Sequence, residues 1–348
     1  MKLIKLSITV LLIQFTFHLY SQIPTDYYNN IDGLSGENLK EALHNIIKGH
    51  TEFPYTSSST DTWDILKESD ADTTNAENVL LIYSGWSVNA AQEYNSGTGW
   101  SREHVWAKSH GDFGTSKGAG TDCHHLTPCD ISVNSARGNK DFDNGGEFYI
   151  DGDGETLCKS DPDSWEARPS VRGDVARKLF YMAVRYEGEG NEPDLELVDE
   201  VKTADLNEEG KGFHGKLSTL MEWNISDPVD SFEINRNNVI YKYQKNRNPF
   251  IDHPEFVNLI WGEKNGYKSF DNNHIFVYPN PADDFINIYV PIDKPVTVSL
   301  HSLDGKAILR QDLFDNFKIQ TSHLEVGLYM LRVRTFEGIA YNTKLMIL

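Results

Sequence analysis

The chain has 348 residues, of which 39% are hydrophobic and 24% charged, with 17 Phe, 16 Tyr and 7 Trp and a formal net charge of −20. This composition excludes a disordered or fibrous chain and suffices for a sizeable core, at a length of about two domains. Three cysteines are too few for a disulfide-built scaffold, and so acidic a chain is no purely electrostatic binder of nucleic acid.

In chain order, Lys2 and Lys5 precede an apolar run from Leu6 to Phe17. His18, Leu19, Tyr20 and Ser21 then lead to Gln22 and Pro24. This is the pattern of a secretory signal peptide cut after Ser21, and the run is too short for a membrane anchor. No later stretch approaches the ~20 apolar residues of a membrane span, so the expected mature protein is soluble and works outside the cytoplasm. Leu39, Leu43, Ile46 and Ile47 recur at helical spacing and predict a helix with one buried face. Trp86, Trp100 and Trp106 read as core aromatics, with stacking on unpaired bases as the alternative.

Chemistry-bearing residues concentrate in 100–140, which hold five bases, four acids and four histidines. The stretch contains Trp100-Ser101-Arg102-Glu103-His104-Val105-Trp106-Ala107-Lys108 and runs on to Asp122-Cys123-His124-His125-Leu126-Thr127-Pro128 and Val133-Asn134-Ser135-Ala136-Arg137-Gly138-Asn139. Hydrolysis of a phosphodiester needs water deprotonated near neutral pH, for which histidine is suited. It also needs charge neutralised on phosphate, most simply by a hard cation. Mg²⁺ prefers oxygen ligands and keeps several waters, so one carboxylate and one amide oxygen suffice. Glu103, His104 and Asn134 supply these groups. Adjacent residues on a strand face opposite ways, so Glu103 and His104 share a site only where the strand ends or bends. After Pro128, Asp130 is placed to cap a helix that carries Asn134 one turn in. His124 and His125 are not a zinc pair, since neighbours cannot easily face one ion and no Cys-x-x-Cys completes a site. His124 reads as a packing or hydrogen-bonding residue, with one of the pair near phosphate. Cys123 and Cys129 bracket this stretch and suggest a short-loop disulfide, with Cys158 pairing with either or staying free.

Asp151-Gly152-Asp153-Gly154-Glu155 lacks the distal glutamate of a calcium loop and predicts an Asp-rich turn. A stronger helix is expected over 173–186, with Val175, Leu179, Met182 and Ala183 on one side and Arg177, Lys178 and Arg185 punctuating it. Segment 187–210 has ten acids against one lysine and reads as a solvated loop. Asn248-Pro249-Phe250 to Pro254 is a rigid packing segment. After Asp271-Asn272-Asn273, short alternating strands follow over 285–290, 296–300 and 327–333, with an Asp304-Gly305 hairpin turn. They suggest a β-sandwich of about 70 residues.

Two resemblances sharpen this reading. Val277-Tyr278-Pro279-Asn280-Pro281-Ala282, Ser302-Leu303-Asp304-Gly305-Lys306 and Gly327-Leu328-Tyr329 resemble the C-terminal sorting domain of proteins exported by type IX secretion. That implies recognition by the export machinery, then release or surface attachment. Arg102 to Trp106, Asp122 to Pro128 and Val133 to Asn139 resemble the bacterial endonuclease I family of the His-Me finger (ββα-metal) class. Gly173-Asp174-Val175-Ala176-Arg177, Phe180-Tyr181-Met182 with Arg185-Tyr186, and Asn246-Arg247-Asn248-Pro249-Phe250-Ile251-Asp252-His253-Pro254-Glu255 extend the likeness over about residues 100–261.

The endonuclease resemblance implies His104 as general base, and Glu103 and Asn134 as ligands of Mg²⁺, with Mn²⁺ or Ca²⁺ as substitutes. It implies cleavage of DNA, and admits RNA, to 5′-phosphate ends with little sequence preference. An arginine on the scissile phosphate is usual in relatives, yet residues 105–121 contain none, so Arg137 is put forward for that role. Lys108, Lys117, His124, His125 and Asn139 are the remaining candidate substrate contacts. The expectation is an α+β chain: signal peptide 1–21, nuclease domain 22–267, linker 268–276 and an immunoglobulin-like sorting domain 277–348. It is expected to be a secreted or cell-surface monomer. A non-catalytic surface module binding nucleic acid or matrix polymer is the alternative.

Overall fold

The computed structural model describes residues 23–202, 210–262, 275–289, 295–313, 317–335 and 340–348. The expected signal peptide and most of the expected linker lie outside them. No helix among the described residues is long and apolar enough to cross a membrane.

Helix α1 (Gly36–Ile47) buries Leu39, Leu43 and Ile47, the face its spacing predicts. Helix α2 (Thr62–Ser69) starts on Asp61, whose carboxylate accepts from the Trp63 and Asp64 amides in a capping box. A small antiparallel sheet, β1 (Ala71–Asp72), β2 (Asn75–Leu80) and β3 (Ser87–Asn89), follows. Then come the ribbon strands β4 (Trp100–His104) and β5 (Leu126–Asp130), paired antiparallel with Glu103 opposite Thr127. Helix α3 (Ile131–Arg137) leaves β5 directly. Asp130 caps it by accepting from the Ser132 and Val133 amides, as the sequence predicts, and Gly138 ends it at φ 63°, a left-handed turn that glycine adopts without strain. Ribbon and helix form a ββα unit.

A four-stranded sheet in the order β6-β9-β8-β7 lies beyond, made of β6 (Asp141–Phe142), β7 (Glu147–Asp151), β8 (Gly154–Ser160) and β9 (Ser164–Glu166). The Asp151–Glu155 stretch is the β7–β8 hairpin turn. Helix α4 (Arg172–Arg185) is buried along nearly its whole length, cations included. The sequence shows those cations only as punctuating the helix; the structure neutralises two of them inside. Arg177 donates to Glu233 at 2.8 Å and Arg185 grips Glu192 through two 2.8 Å bonds, which makes their burial tolerable. Lys178 instead lines a cavity of about 990 Å³ with Asp70, Asp174 and Arg168. Glu103, His104 and Asn134 take no part in that cavity.

The acidic segment after α4 also departs from expectation. Asp194-Leu195-Glu196-Leu197 forms strand β10 (Asp194–Leu197), parallel to β11 (Lys211–His214). Alternation with period two decides it: Leu195 and Leu197 enter the core while Asp194 and Glu196 stay outside on Lys211. Helices α5 (Leu217–Ser226), α6 (Ser231–Gln244), α7 (Pro249–Asp252) and α8 (Phe256–Trp261) close this part of the chain. Asn248 caps α7 and Arg247 pairs with Asp252 at 2.6 Å, so the Asn-Pro-Phe segment packs as expected.

Residues 275–348 build a separate apolar cluster between two sheets. One has the order β12-β13-β16 and the other β15-β14-β17-β18. The strands are β12 (Phe276–Tyr278), β13 (Phe285–Tyr289), β14 (Val296–Ser302), β15 (Ala307–Leu313), β16 (Phe317–Gln320), β17 (Gly327–Thr335) and β18 (Ala340–Ile347). The β14–β15 connection carries Asp304-Gly305, as predicted.

Candidate active site

The site is built on the end of β4. Period two puts Ser101 and Glu103 on one face of the strand and Arg102 and His104 on the other. On the first face, Glu103 Oε1 accepts from the Tyr83 hydroxyl at 2.8 Å and pairs with Arg137 Nη1 at 3.1 Å. Burial pushes the Glu103 carboxyl up from its ordinary range, and Arg137 and Tyr83 pull it back down. Asn134 projects from α3 to the same face and donates through Nδ2 to Ser101 Oγ at 3.0 Å. Its Oδ1 accepts no hydrogen bond from any described residue. The ribbon thus gathers a carboxylate and an amide oxygen on one side. These are hard oxygen donors, the set that Mg²⁺ accepts while keeping most of its waters, so the residues present fit the expected cation.

His104 turns to the opposite side and makes no hydrogen bond to Glu103 or Asn134 through its ring. It stacks on Tyr55 with ring centroids 5.8 Å apart, beside His125 at 5.5 Å and Phe113 at 6.3 Å. Its Nε2 lies 3.0 Å from the carbonyl of Gly120. A carbonyl can only accept, so Nε2 carries the hydrogen and Nδ1 keeps the lone pair. Burial, with the neighbouring His125, holds the imidazole well below its ordinary pKa, hence neutral. The strand ends at this residue, where the sequence requires a break if Glu103 and His104 are to serve one site. Gly120 has to be glycine for packing reasons: a Cβ there would lie 2.2 Å from the Gly114 carbonyl.

Arg137 is placed differently from its sequence-based role as a phosphate contact. Its side chain is 1% exposed. It donates to the carbonyls of His104 at 3.2 Å and Val105 at 2.7 Å, pairs with Glu103, and approaches His214 Nε2 at 3.2 Å. A guanidinium so committed pins the end of β4 to α3. The cation that does reach the site is Lys108, which is exposed and whose charge bears on both Glu103 and His104. Lys117 and Asn139 are exposed too; the Asn139 amide donates to Ser109 at 3.2 Å.

His124 and His125, offered as substrate contacts, are buried. His124 Nε2 meets the Asn246 carbonyl at 3.1 Å and its ring lies 4.5 Å from that of Tyr181, while His125 Nε2 meets the Ala119 carbonyl at 2.7 Å. Each sits in a loop folded into the core and pairs Nε2 with backbone, while its Nδ1 is buried with no hydrogen-bond partner among the described residues. Burial pushes both down to about 4. Their folded pKa values lie below the ordinary 6.5, so the unfolded chain takes up protons first as pH falls. Stability is therefore full above about pH 6.5 and declines toward pH 4, by about 2 kcal/mol for each histidine at pH 5. Thermal denaturation should show a Tm at least ~5 °C lower at pH 5 than at pH 7. An unchanged Tm would contradict these buried neutral rings.

The cysteines do not pair. Cys123, Cys129 and Cys158 are all free and buried. Cys123 belongs to the cluster around Trp63 and Trp100, whereas Cys129 and Cys158 face the cluster with Val133 and Phe142. The expected Cys123–Cys129 bridge therefore does not form, because β5 sends the second sulfur to the other face. Trp100 and Trp106 are fully buried, as core aromatics.

Sequence reasoning missed Ser101, Tyr55, Tyr83 and Gly120. Ser101 was within reach, since it lies two residues before Glu103 on one strand face. Tyr55 and Tyr83 come from distant loops and leave no local signal.

Residues 35–255 match the family described as Endonuclease I, and residues 276–348 match the secretion system C-terminal sorting domain. The chain is 54% identical over 236 residues to the extracellular ribonuclease of Bacillus subtilis, spanning 68% of this chain and 78% of that protein. It is 53% identical over 236 residues to the extracellular ribonuclease of Bacillus amyloliquefaciens, with the same shares. Among solved structures, an immunoglobulin-like β-sandwich protein of the DUF3244 family from Bacteroides vulgatus is 12% identical, with a TM-score of 0.20 over 22% of this chain and 85% of that one.

Proposed function

The chain belongs to the endonuclease I family and is an exported nuclease with a type IX sorting domain, and from that premise we propose that it hydrolyses RNA and DNA alike through a water molecule activated by His104. The observation that carries this reading is the Nε2 contact to the Gly120 carbonyl, which leaves Nδ1 as the basic nitrogen of a neutral ring. Such a ring accepts a proton from water at neutral pH. Glu103 and Asn134 would hold a divalent ion, Mg²⁺ or in its place Mn²⁺ or Ca²⁺. When bound, that ion supplies neutralisation of charge on the phosphate and the leaving 3′ oxygen. Ser101 orients the Asn134 amide, Tyr83 and Arg137 fix the Glu103 carboxylate, and Lys108 meets the substrate backbone, with Lys117 and Asn139 at the periphery. Backbone contacts carry no base information, so cleavage is sequence-indifferent.

With external water as nucleophile, the ribose 2′-hydroxyl has no part in the reaction. RNA and DNA are then equivalent at the scissile bond, in keeping with relatives called extracellular ribonucleases in a family called Endonuclease I. The proposed organisation is a signal peptide over 1–21, a nuclease domain over 22–267, a linker over 268–276 and a sorting domain over 277–348.

The test is digestion of RNA and of plasmid DNA by the full chain, with the product ends identified. The expected outcome is 5′-phosphate and 3′-hydroxyl ends from both polymers, with EDTA lowering the rate at least a hundredfold and added Mg²⁺ restoring it. Products ending in 2′,3′-cyclic phosphate, or a rate indifferent to EDTA, would overturn the reading.

A further inference from the structure

Beneath Glu103 lie three buried side chains that the reaction above does not use: His110, Asp141 and His214. Their donor atoms fall within 4.8 Å of one another, which at first suggests a metal cage. The hydrogen bonding argues otherwise. His214 Nε2 faces Arg137 Nη2 at 3.2 Å, and a guanidinium can only donate. That nitrogen is therefore an acceptor spent on a cation. His214 Nδ1 then carries the hydrogen, which it donates to the Gly215 carbonyl at 3.1 Å, and it lies 3.1 Å from Asp141 Oδ1, an oxygen that accepts from the Gly215 amide at 2.8 Å. His110 lies between two carbonyls, with Nδ1 2.9 Å from Phe213 and Nε2 2.7 Å from Asn139, and its neutral ring donates its one hydrogen to one of them. A fixed positive charge at the edge of the cluster further disfavours an ion within it.

The contacts instead form a line: Glu103, Arg137, His214, Asp141. We propose that His214 and Asp141 are positioning residues for the divalent-ion site, acting through Arg137 on Glu103. This rests on the reading of Glu103 as an ion ligand. The electrostatic reason is direct. Arg137 lies 3.1 Å from the carboxylate that has to receive a doubly charged ion, and guanidinium and ion repel in a weakly screened interior. Asp141, on the far side of His214, draws on the same guanidinium. A guanidinium shared between two carboxylates opposes the incoming ion less than one paired with Glu103 alone. Without Asp141, the Arg137 charge falls on Glu103 alone and the ion's attraction to the site weakens. Geometry adds to charge, because the His214 lone pair fixes the plane of the Arg137 fork that also holds the His104 and Val105 carbonyls. The line thereby sets where β4 ends.

Calorimetric titration of Mn²⁺ into the full chain tests this, with folding of each variant verified by thermal melting. Asp141→Asn is expected to weaken Mn²⁺ binding at least tenfold, with kcat at limiting Mn²⁺ falling in step and KM for RNA unchanged. His214→Phe should do the same. His214→Gln, which can still accept from Arg137 and donate to the Gly215 carbonyl beside Asp141, should bind Mn²⁺ within about threefold of the parent. Folded Asp141→Asn or His214→Phe proteins that bind Mn²⁺ as the parent does would overturn the proposal. The His214 pair decides the matter alone should Asp141→Asn fail to fold. Glu103→Gln separates this idea from its premise. Loss of Mn²⁺ binding in Glu103→Gln with intact binding in His214→Phe sinks only the positioning role. Undiminished binding in Glu103→Gln sinks both, and if that site vanishes in Asp141→Asn, the three-residue cluster is itself the ion cage.

Discussion

His104→Ala is expected to cut RNA and plasmid DNA about a thousandfold more slowly than the parent at saturating Mg²⁺, the middle of the range that a positioned general base contributes. His125, 5.5 Å away, is no substitute, since its Nε2 is tied to the Ala119 carbonyl and its ring is sealed from solvent. The loss should fall on kcat and spare KM, because the imidazole acts on water and not on substrate binding. The fold should survive, as the ring makes one hydrogen bond among the described residues and stacks on Tyr55. His104→Gln, which can still donate to Gly120 but is not a base, should be as slow as the alanine variant. A kcat within tenfold of the parent for either would remove His104 from the chemistry.

The largest expected loss of stability comes from Asp122. This carboxylate is fully buried and accepts four hydrogen bonds, from Tyr181 at 2.7 Å, the His124 amide at 2.9 Å, Gln244 at 3.0 Å and Tyr186 at 3.0 Å. Against the opposing effect of burial, the neighbouring His50 and His124, and after them the Gln244 and Tyr181 donors, hold it well below the usual carboxylate range. Asp122→Ala would remove the acceptor of two phenols, a backbone amide and a side-chain amide at the point where the loop before β5 meets α4 and α6. Orphaned buried donors cost about 1–3 kcal/mol each, so a loss of about 4 kcal/mol and a Tm drop of about 8–16 °C are expected. Asp122→Asn, which retains one acceptor oxygen, should lose about half as much. A melt within 2 °C of the parent for Asp122→Ala would show that the hub does not bear on stability.

The elements that the sequence announces are those with local causes. Asp130 ahead of Ile131 signals a helix start, and the α1 spacing signals its buried face. The alternating tail signals strands, and the sandwich follows from their number. Glu103, His104 and Asn134 are legible as chemistry because their residue types suit one reaction. What was not legible depends on partners far along the chain. Arg137 reads as a phosphate contact until α3 is folded against β4 and its donors meet the His104 and Val105 carbonyls, Glu103 and His214. The burial of Arg177 on α4 leaves no local signal because Glu233, which neutralises it, comes from a different helix. The β10 strand hides inside an acidic run since its two leucines carry too little weight in a segment of ten acids. The free thiols were likewise invisible, for sulfur pairing depends on strand faces and not on spacing alone.

The parallel pairing of β10 with β11 aligns Leu197 with His214. Because side chains on a strand alternate, slippage of that alignment by one residue would swing the imidazole away from Arg137 and present its neighbour instead. An outwardly unremarkable acidic ribbon thus acts as the ruler for the deepest layer of the enzyme. Its residue count matters more than its charges, so exchange of Glu196 for a neutral side chain is a mild change, whereas loss of any one residue from Asp194 to Leu197 is not.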